Sequence, residues 1–61
     1  MQATVRQLAY INHLHQLIQN AEPFKQNHVI LYDLEYCSNL EKDVADNYIF
    51  KLQDFIDEMG L

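Results

Sequence analysis

The stretch SNLEKDVADNYIFKLQDFIDEMGL, residues Ser38–Leu61, decides how this chain folds. Its apolar side chains, Leu40, Val44, Tyr48, Leu52, Phe55, Ile56 and Met59, recur in steps of three and four. At about 100° per residue, that spacing places them along one side of an α-helix. Ser38 followed by Glu41 is a capping-box start, and Gly60 is the residue type that usually stands just past a helix end. A helix over residues 39–59 is therefore expected, and the rest of the chain supplies whatever its stripe packs against.

Working back towards the start, Thr4 with Gln7 forms a second capping box, opening a helix over about residues 4–21. Val5, Leu8, Ile11, Leu14, Leu17 and Ile18 recur at helical spacing and, with Tyr10, cover well over half the circumference. Arg6, Ala9, His13, Gln16 and Asn20 are left for solvent. A helix packing on one neighbour needs an arc of only a little over ~100°. The excess calls for two packing partners: the C-terminal helix, and either a third segment or a second chain. Leu8, Ile11, Leu14, His15, Leu17 and Ile18 are accordingly the candidate core or dimer interface, and a homodimer is expected.

Between the helices, Pro23 ends the first one, because the residue before a proline is pushed out of the α region. Glu22 to His28 reads as a loop whose Phe24 folds back on the core. Val29 to Tyr36 is ambiguous. Its alternation of Ile30, Tyr32, Leu34 and Tyr36 with Leu31, Asp33 and Glu35 suits a strand, while Ile30, Leu31, Leu34 and Glu35 suit two helical turns. A lone strand would leave backbone groups unpaired. The run is thus a short helix or extended connector, or else a strand paired with its copy in a dimer. Cys37-Ser38-Asn39 breaks the pattern and starts the C-terminal helix. The fold expected is all-α, one small domain over residues 1–61.

Size and charge narrow the functions. A chain of 61 residues buries only about 60% of its unfolded surface, so its core is small. The single Cys37 cannot close an intramolecular disulfide and fits a reducing compartment, so a cytoplasmic location is expected. No apolar run approaches the ~18 residues of a membrane span, so no membrane association is expected. The net charge is −5, and Arg6, Lys25, Lys42 and Lys51 are the only basic side chains against nine acids. Phosphate backbones are gripped by several Lys or Arg at once, so direct nucleic-acid binding is a poor fit.

Two stretches resemble a known kind of protein. The opening Thr4-x-x-Gln7-x-x-Tyr10-Ile11-x-x-Leu14 resembles the start of a family of small, mostly uncharacterised bacterial and phage modules, roughly T-x-x-Q-x-x-Y-I-x-x-L. The same modules close on a pattern like L-[ST]-K-x-E-A-S-x-x-I-x-x-L, with which Leu40, Lys42, Ala45, Ile49 and Leu52 fall in register. Glu41, Val44 and Asp46 depart from it, standing where Ser or Thr, Glu and Ser are expected. The resemblance covers roughly half of the chain. It implies a helix–connector–helix module, often an accessory piece of phage or mobile-element proteins and sometimes joined to DNA-processing ones. It brings no catalytic residue.

The residues with chemistry to offer form no catalytic set. His13 and His15 would share a metal on a strand, but on a helix they point about 200° apart. His15 falls within the apolar arc, so it is expected to be hydrogen-bonded at an interface or to lie at its rim, and a buried histidine there would make association pH-sensitive. Cys37 and Ser38 have no nearby base. Asp54, Asp57 and Glu58 lie at i, i+3 and i+4 without the ligand loop of a calcium site, which leaves a solvated helix face. Acids in a last turn oppose the helix dipole, so stability does not ask for them. No enzymatic activity, metal or cofactor is expected.

Phe50 is the sharpest feature. It lies opposite the packing stripe, flanked by Asp43, Asp46, Asn47, Asp54 and Asp57. Aromatic residues are enriched among interface anchors, although single exposed apolar residues are ordinary. Ile49 beside it favours the interface. The expected function is a non-enzymatic acidic protein-interaction module, of the phage or mobile-element kind that the resemblance implies, using Phe50, Asp43, Asp46, Asp54 and Asp57 to modulate a partner protein. The alternative is an accessory module of a nucleic-acid-processing protein or complex.

Overall fold

Thr4 opens the first helix through side-chain bonds that satisfy otherwise orphaned backbone donors. In the computed structural model, which describes residues 1–21 and 29–61, the Thr4 hydroxyl accepts from the Gln7 N–H at 3.1 Å. Gln7 Oε1 in turn accepts from the Thr4 N–H at 2.9 Å. The helix that follows, α1, spans Val5–Gln19. A short helix, α2, spans Leu34–Ser38, and α3 spans Lys42–Met59. The fold is mostly helical, and no strand occurs among the described residues; Gln2 and Glu41 form one isolated antiparallel bridge. The loop expected over Glu22 to His28, with Pro23 and Phe24, lies outside the described residues.

The ambiguous run resolves into two parts. Val29 to Asp33 is non-helical connector, and the Asp33 carboxylate then caps α2 by accepting from the Tyr36 N–H at 2.7 Å. Cys37 belongs to α2 and is fully buried. Ser38 does not begin α3 as expected. It ends α2, with its hydroxyl donating to the Glu35 carbonyl at 2.7 Å.

The start of α3 therefore moves from residue 39 to Lys42, after Glu41, the position where the resembling pattern has its Ser or Thr. Glu41 makes no side-chain cap. The first donors of α3 are satisfied otherwise: Lys42 N–H donates to the Met1 carbonyl at 2.7 Å, and Val44 N–H to Asp43 Oδ1 at 2.9 Å. A partner 41 residues away in sequence thus sets the boundary. The other end closes as expected. Gly60 adopts φ 71°, a left-handed conformation costly for side chains with a Cβ. Its N–H donates to Asp57 O at 3.3 Å and the Leu61 N–H to Ile56 O at 3.0 Å, the paired bonds of a Schellman motif.

The core consists of Ile11, Leu14 and Ile18 from α1, Cys37 from α2, and Ala45, Tyr48, Leu52, Phe55 and Ile56 from α3. Leu8, Leu31, Leu40, Ile49 and Met59 pack partly buried against it. The stripe on α3 is the expected one from Leu40 to Met59 except at Val44, which is 45% exposed while Ala45 takes the inward position. Successive helical residues differ by about 100°, so only one of the two can face α1.

The broad arc of α1 finds both of its partners within the chain, α3 and α2. Of the six residues expected at a core or dimer interface, Ile11, Leu14, His15 and Ile18 are buried, Leu8 is half-buried against the core, and Leu17 is the one left exposed. Val5, counted in the arc, is 83% exposed. Ile11, Leu14 and Ile18 of the arc enter the core, while Val5, Tyr10 and Leu17 stay exposed.

Candidate interaction face

Three polar side chains fasten the inner side of α3. Gln7, already part of the α1 cap, uses both amide hydrogens of Nε2 across the helix pair. It donates to the Lys42 carbonyl at 3.0 Å and to Asp46 Oδ1 at 2.7 Å. One side chain thus ties the beginnings of α1 and α3 together.

The second and third are His15 and Tyr48, whose ring nitrogen Nε2 and hydroxyl lie 2.8 Å apart in the core. The Tyr48 hydroxyl also lies 2.7 Å from the Ile30 carbonyl and accepts from the Tyr32 N–H at 3.0 Å. A hydroxyl has one proton and two lone pairs. Ile30 O can only accept, so it takes the proton, and both lone pairs accept. His15 Nε2 must therefore carry a hydrogen and donate it. Burial holds the imidazole below its ordinary pKa, and burial above all pushes the Tyr48 phenol up to about 12. The pair is a neutral junction, with the Tyr48 hydroxyl fully satisfied, that clamps the connector onto α3. His15 answers to Tyr48 of its own chain, and His13 lies on the exposed side of α1.

Cys37 is also absorbed into the core. Its thiol donates weakly towards the Tyr32 carbonyl at 3.8 Å, and burial, with Asp33 nearby, raises its pKa. Such a thiol carries little thiolate and is a poor nucleophile. Among the described residues, no group of His, Cys, Asp and Glu is placed to hold a metal ion, and no helix is long and apolar enough to cross a membrane.

The outer side of α3 presents Phe50, 63% exposed, with Asp43, Asp54 and Asp57 also exposed. The acidic surround read from the helical wheel divides in two. Asp43 and Asp46 have bonds of their own at the start of the helix, to the Val44 N–H and to Gln7. Asp54 and Asp57 form the edge of an open groove of about 430 Å³ between α3 and α1, whose other wall holds Tyr10 and His13. Ile49 is not part of an exposed patch with Phe50, since it packs against the core.

The groove, the Gln7 tie and the Tyr48 junction were not read from the sequence. Each joins residues more than 30 positions apart, and nothing local marks them. Compared with protein-family models, with curated proteins and with solved structures, the chain finds no match.

Proposed function

We propose that this protein is a non-catalytic interaction module that engages a partner protein through the outer face of α3. Phe50 supplies the apolar anchor, and Asp43, Asp54 and Asp57 select for a basic surround on the partner. The observation that carries the reading is the 63% exposure of Phe50, on a helix whose other large aromatics, Tyr48 and Phe55, are buried. Retaining an exposed ring gives the fold nothing, whereas desolvated aromatics contribute strongly to binding. The net charge of −5 adds long-range attraction for a basic partner. The groups with reactive chemistry, Cys37 and His15, are committed to the core.

The reading does not require a dimer. A second copy docking on α1 would have Val5, Tyr10 and Leu17 to bury, the large apolar residues of that helix left exposed.

The test is a paired retention experiment. Immobilised wild-type protein and Phe50→Ala are exposed to lysate of the organism that encodes the chain. A protein retained by the wild type and lost from the variant supports the proposal. Equal retention by both, or salt-sensitive retention of DNA or RNA in place of a protein, overturns it in favour of the nucleic-acid accessory reading.

A further inference from the structure

The groove beside Phe50 has the chemistry of a receptor for one kind of side chain. On α1, the rings of Tyr10 and His13 lie nearly parallel, with centroids 6.3 Å apart and planes within 21°, and both line the groove as its aromatic wall. Gln53 Nε2 donates to the Tyr10 hydroxyl at 2.7 Å, so the wall is fastened to α3 across the groove. Leu17 and Ile56 contribute apolar lining. Asp54 and Asp57, one helical turn apart, supply the opposite edge. Among the described residues, neither carboxylate has a cation within salt-bridge distance. The aromatic wall suits the face of a planar cation, the apolar lining suits a methylene stem, and the carboxylates suit its N–H groups.

We propose that this groove takes an arginine side chain of the partner. The guanidinium would pack on an aromatic face of the Tyr10–His13 wall and donate to Asp54 and Asp57. This rests on the outer-face reading and specifies what the partner presents: an arginine next to the apolar residue that meets Phe50. A planar guanidinium fits better than an ammonium because both of its features, flat face and forked donors, have a counterpart in the groove.

The probe is an N-acetylated, C-amidated Leu-Arg-Leu peptide, titrated into the full chain at about pH 7.5, above the ordinary histidine range. Backbone amide shifts are followed by NMR, with a peptide carrying citrulline in place of arginine as the uncharged, near-isosteric control. Saturable shifts are expected at Tyr10, His13, Gln53, Asp54 and Asp57. Citrulline should weaken binding about tenfold, since it removes the charge-assisted bonds and the cation–π contact. The doubly substituted Asp54→Asn, Asp57→Asn chain, whose changes lie on the exposed side of α3, should lose the response to arginine.

Absence of saturable shifts, shifts centred elsewhere, or equal binding of the two peptides would overturn the proposal. Two further variants separate its failure from failure of the outer-face reading, because Tyr10 belongs only to the groove and Phe50 only to the face. Partner retention lost with Phe50→Ala but kept with Tyr10→Ala removes the arginine groove and leaves the face. A specific arginine response combined with partner retention unaffected by Phe50→Ala removes the face and leaves the groove.

Discussion

Tyr48 and Phe50 stand two residues apart on α3 and meet opposite surroundings. Tyr48 is 7% exposed, and its hydroxyl joins His15, the Tyr32 N–H and the Ile30 carbonyl at one point. Phe50 is 63% exposed on the outer side. Around the first, polar groups are spent on one another, as at Gln7, where both amide hydrogens and the amide oxygen have partners. Around the second, Asp54 and Asp57 have no partner among the described residues. A small fold cannot leave polar groups unsatisfied inside, where each costs about 1–3 kcal/mol. Outside, unpaired charge costs the fold little and is available to a partner. The contrast separates the residues that maintain the fold from those available for binding.

Substitutions on the inner side should have the largest effects. Leu52 is fully buried, and Leu52→Ala should cost about 2–5 kcal/mol by opening a cavity. A domain this size holds roughly 3–9 kcal/mol in all. Urea titration should therefore show a partly or wholly unfolded variant; a midpoint near that of the wild type would contradict the assigned core. Tyr48→Phe keeps the ring and strands the groups that met its hydroxyl, at a cost of about 1–3 kcal/mol. Hydrogen exchange at the Tyr32 amide should accelerate more than that at Ile11, in the middle of α1. Uniform acceleration would mean that the junction does not hold the connector in particular.

Gln7→Ala should cost about 1–2 kcal/mol, because it removes half of a capping box and two bonds to α3. Gln7→Glu keeps the oxygen that meets the Thr4 N–H but brings a carboxylate against Asp46, so it should be no better than Ala. A glutamate variant as stable as the wild type would show that the Asp46 bond is dispensable.

The first capping box was legible because it is local: Thr4 and Gln7 meet within one turn, and Gly60 closes α3 for equally local reasons. The start of α3 was not. Ser38 and Glu41 have the right spacing, but the donors of that turn find Met1, which brings the helix in at Lys42. The inward place of Ala45 over Val44 follows from that packing and cannot be read from hydropathy, which favours valine. The broad arc of α1 meets two elements of its own chain, α2 and α3, yet Val5, Tyr10 and Leu17 stay exposed, because periodicity gives the width of an arc and not where α2 will lie. Phe50 was legible because exposure opposite a stripe follows from the helical period. The Tyr10–His13 wall was not, because it acquires meaning only from the α3 residues across the groove.

His15 gives a smaller effect with a definite sign. Its folded-state pKa is lowered by burial, while the unfolded chain titrates near its ordinary value. Between those two values the unfolded state binds more protons, so stability is fully present above the ordinary value and declines as pH falls through this window. Urea midpoints at about pH 7.5 and 5.5 should differ in that direction, and His15→Gln should flatten the difference. An unchanged pH slope in the variant would mean that another group carries it.

The smallest effect expected is also the most direct test of a two-sided α3: the unfolding free energy of Phe50→Ala by urea titration. Removing a large aromatic ring from a core costs about 3–5 kcal/mol, whereas surface substitutions usually fall within about 0.5 kcal/mol. If the outer face of α3 is reserved for a partner, Phe50→Ala should unfold within about 0.5 kcal/mol of the wild type. A loss of about 2 kcal/mol or more would place Phe50 among the residues that hold the fold together and would leave the outer face without its anchor.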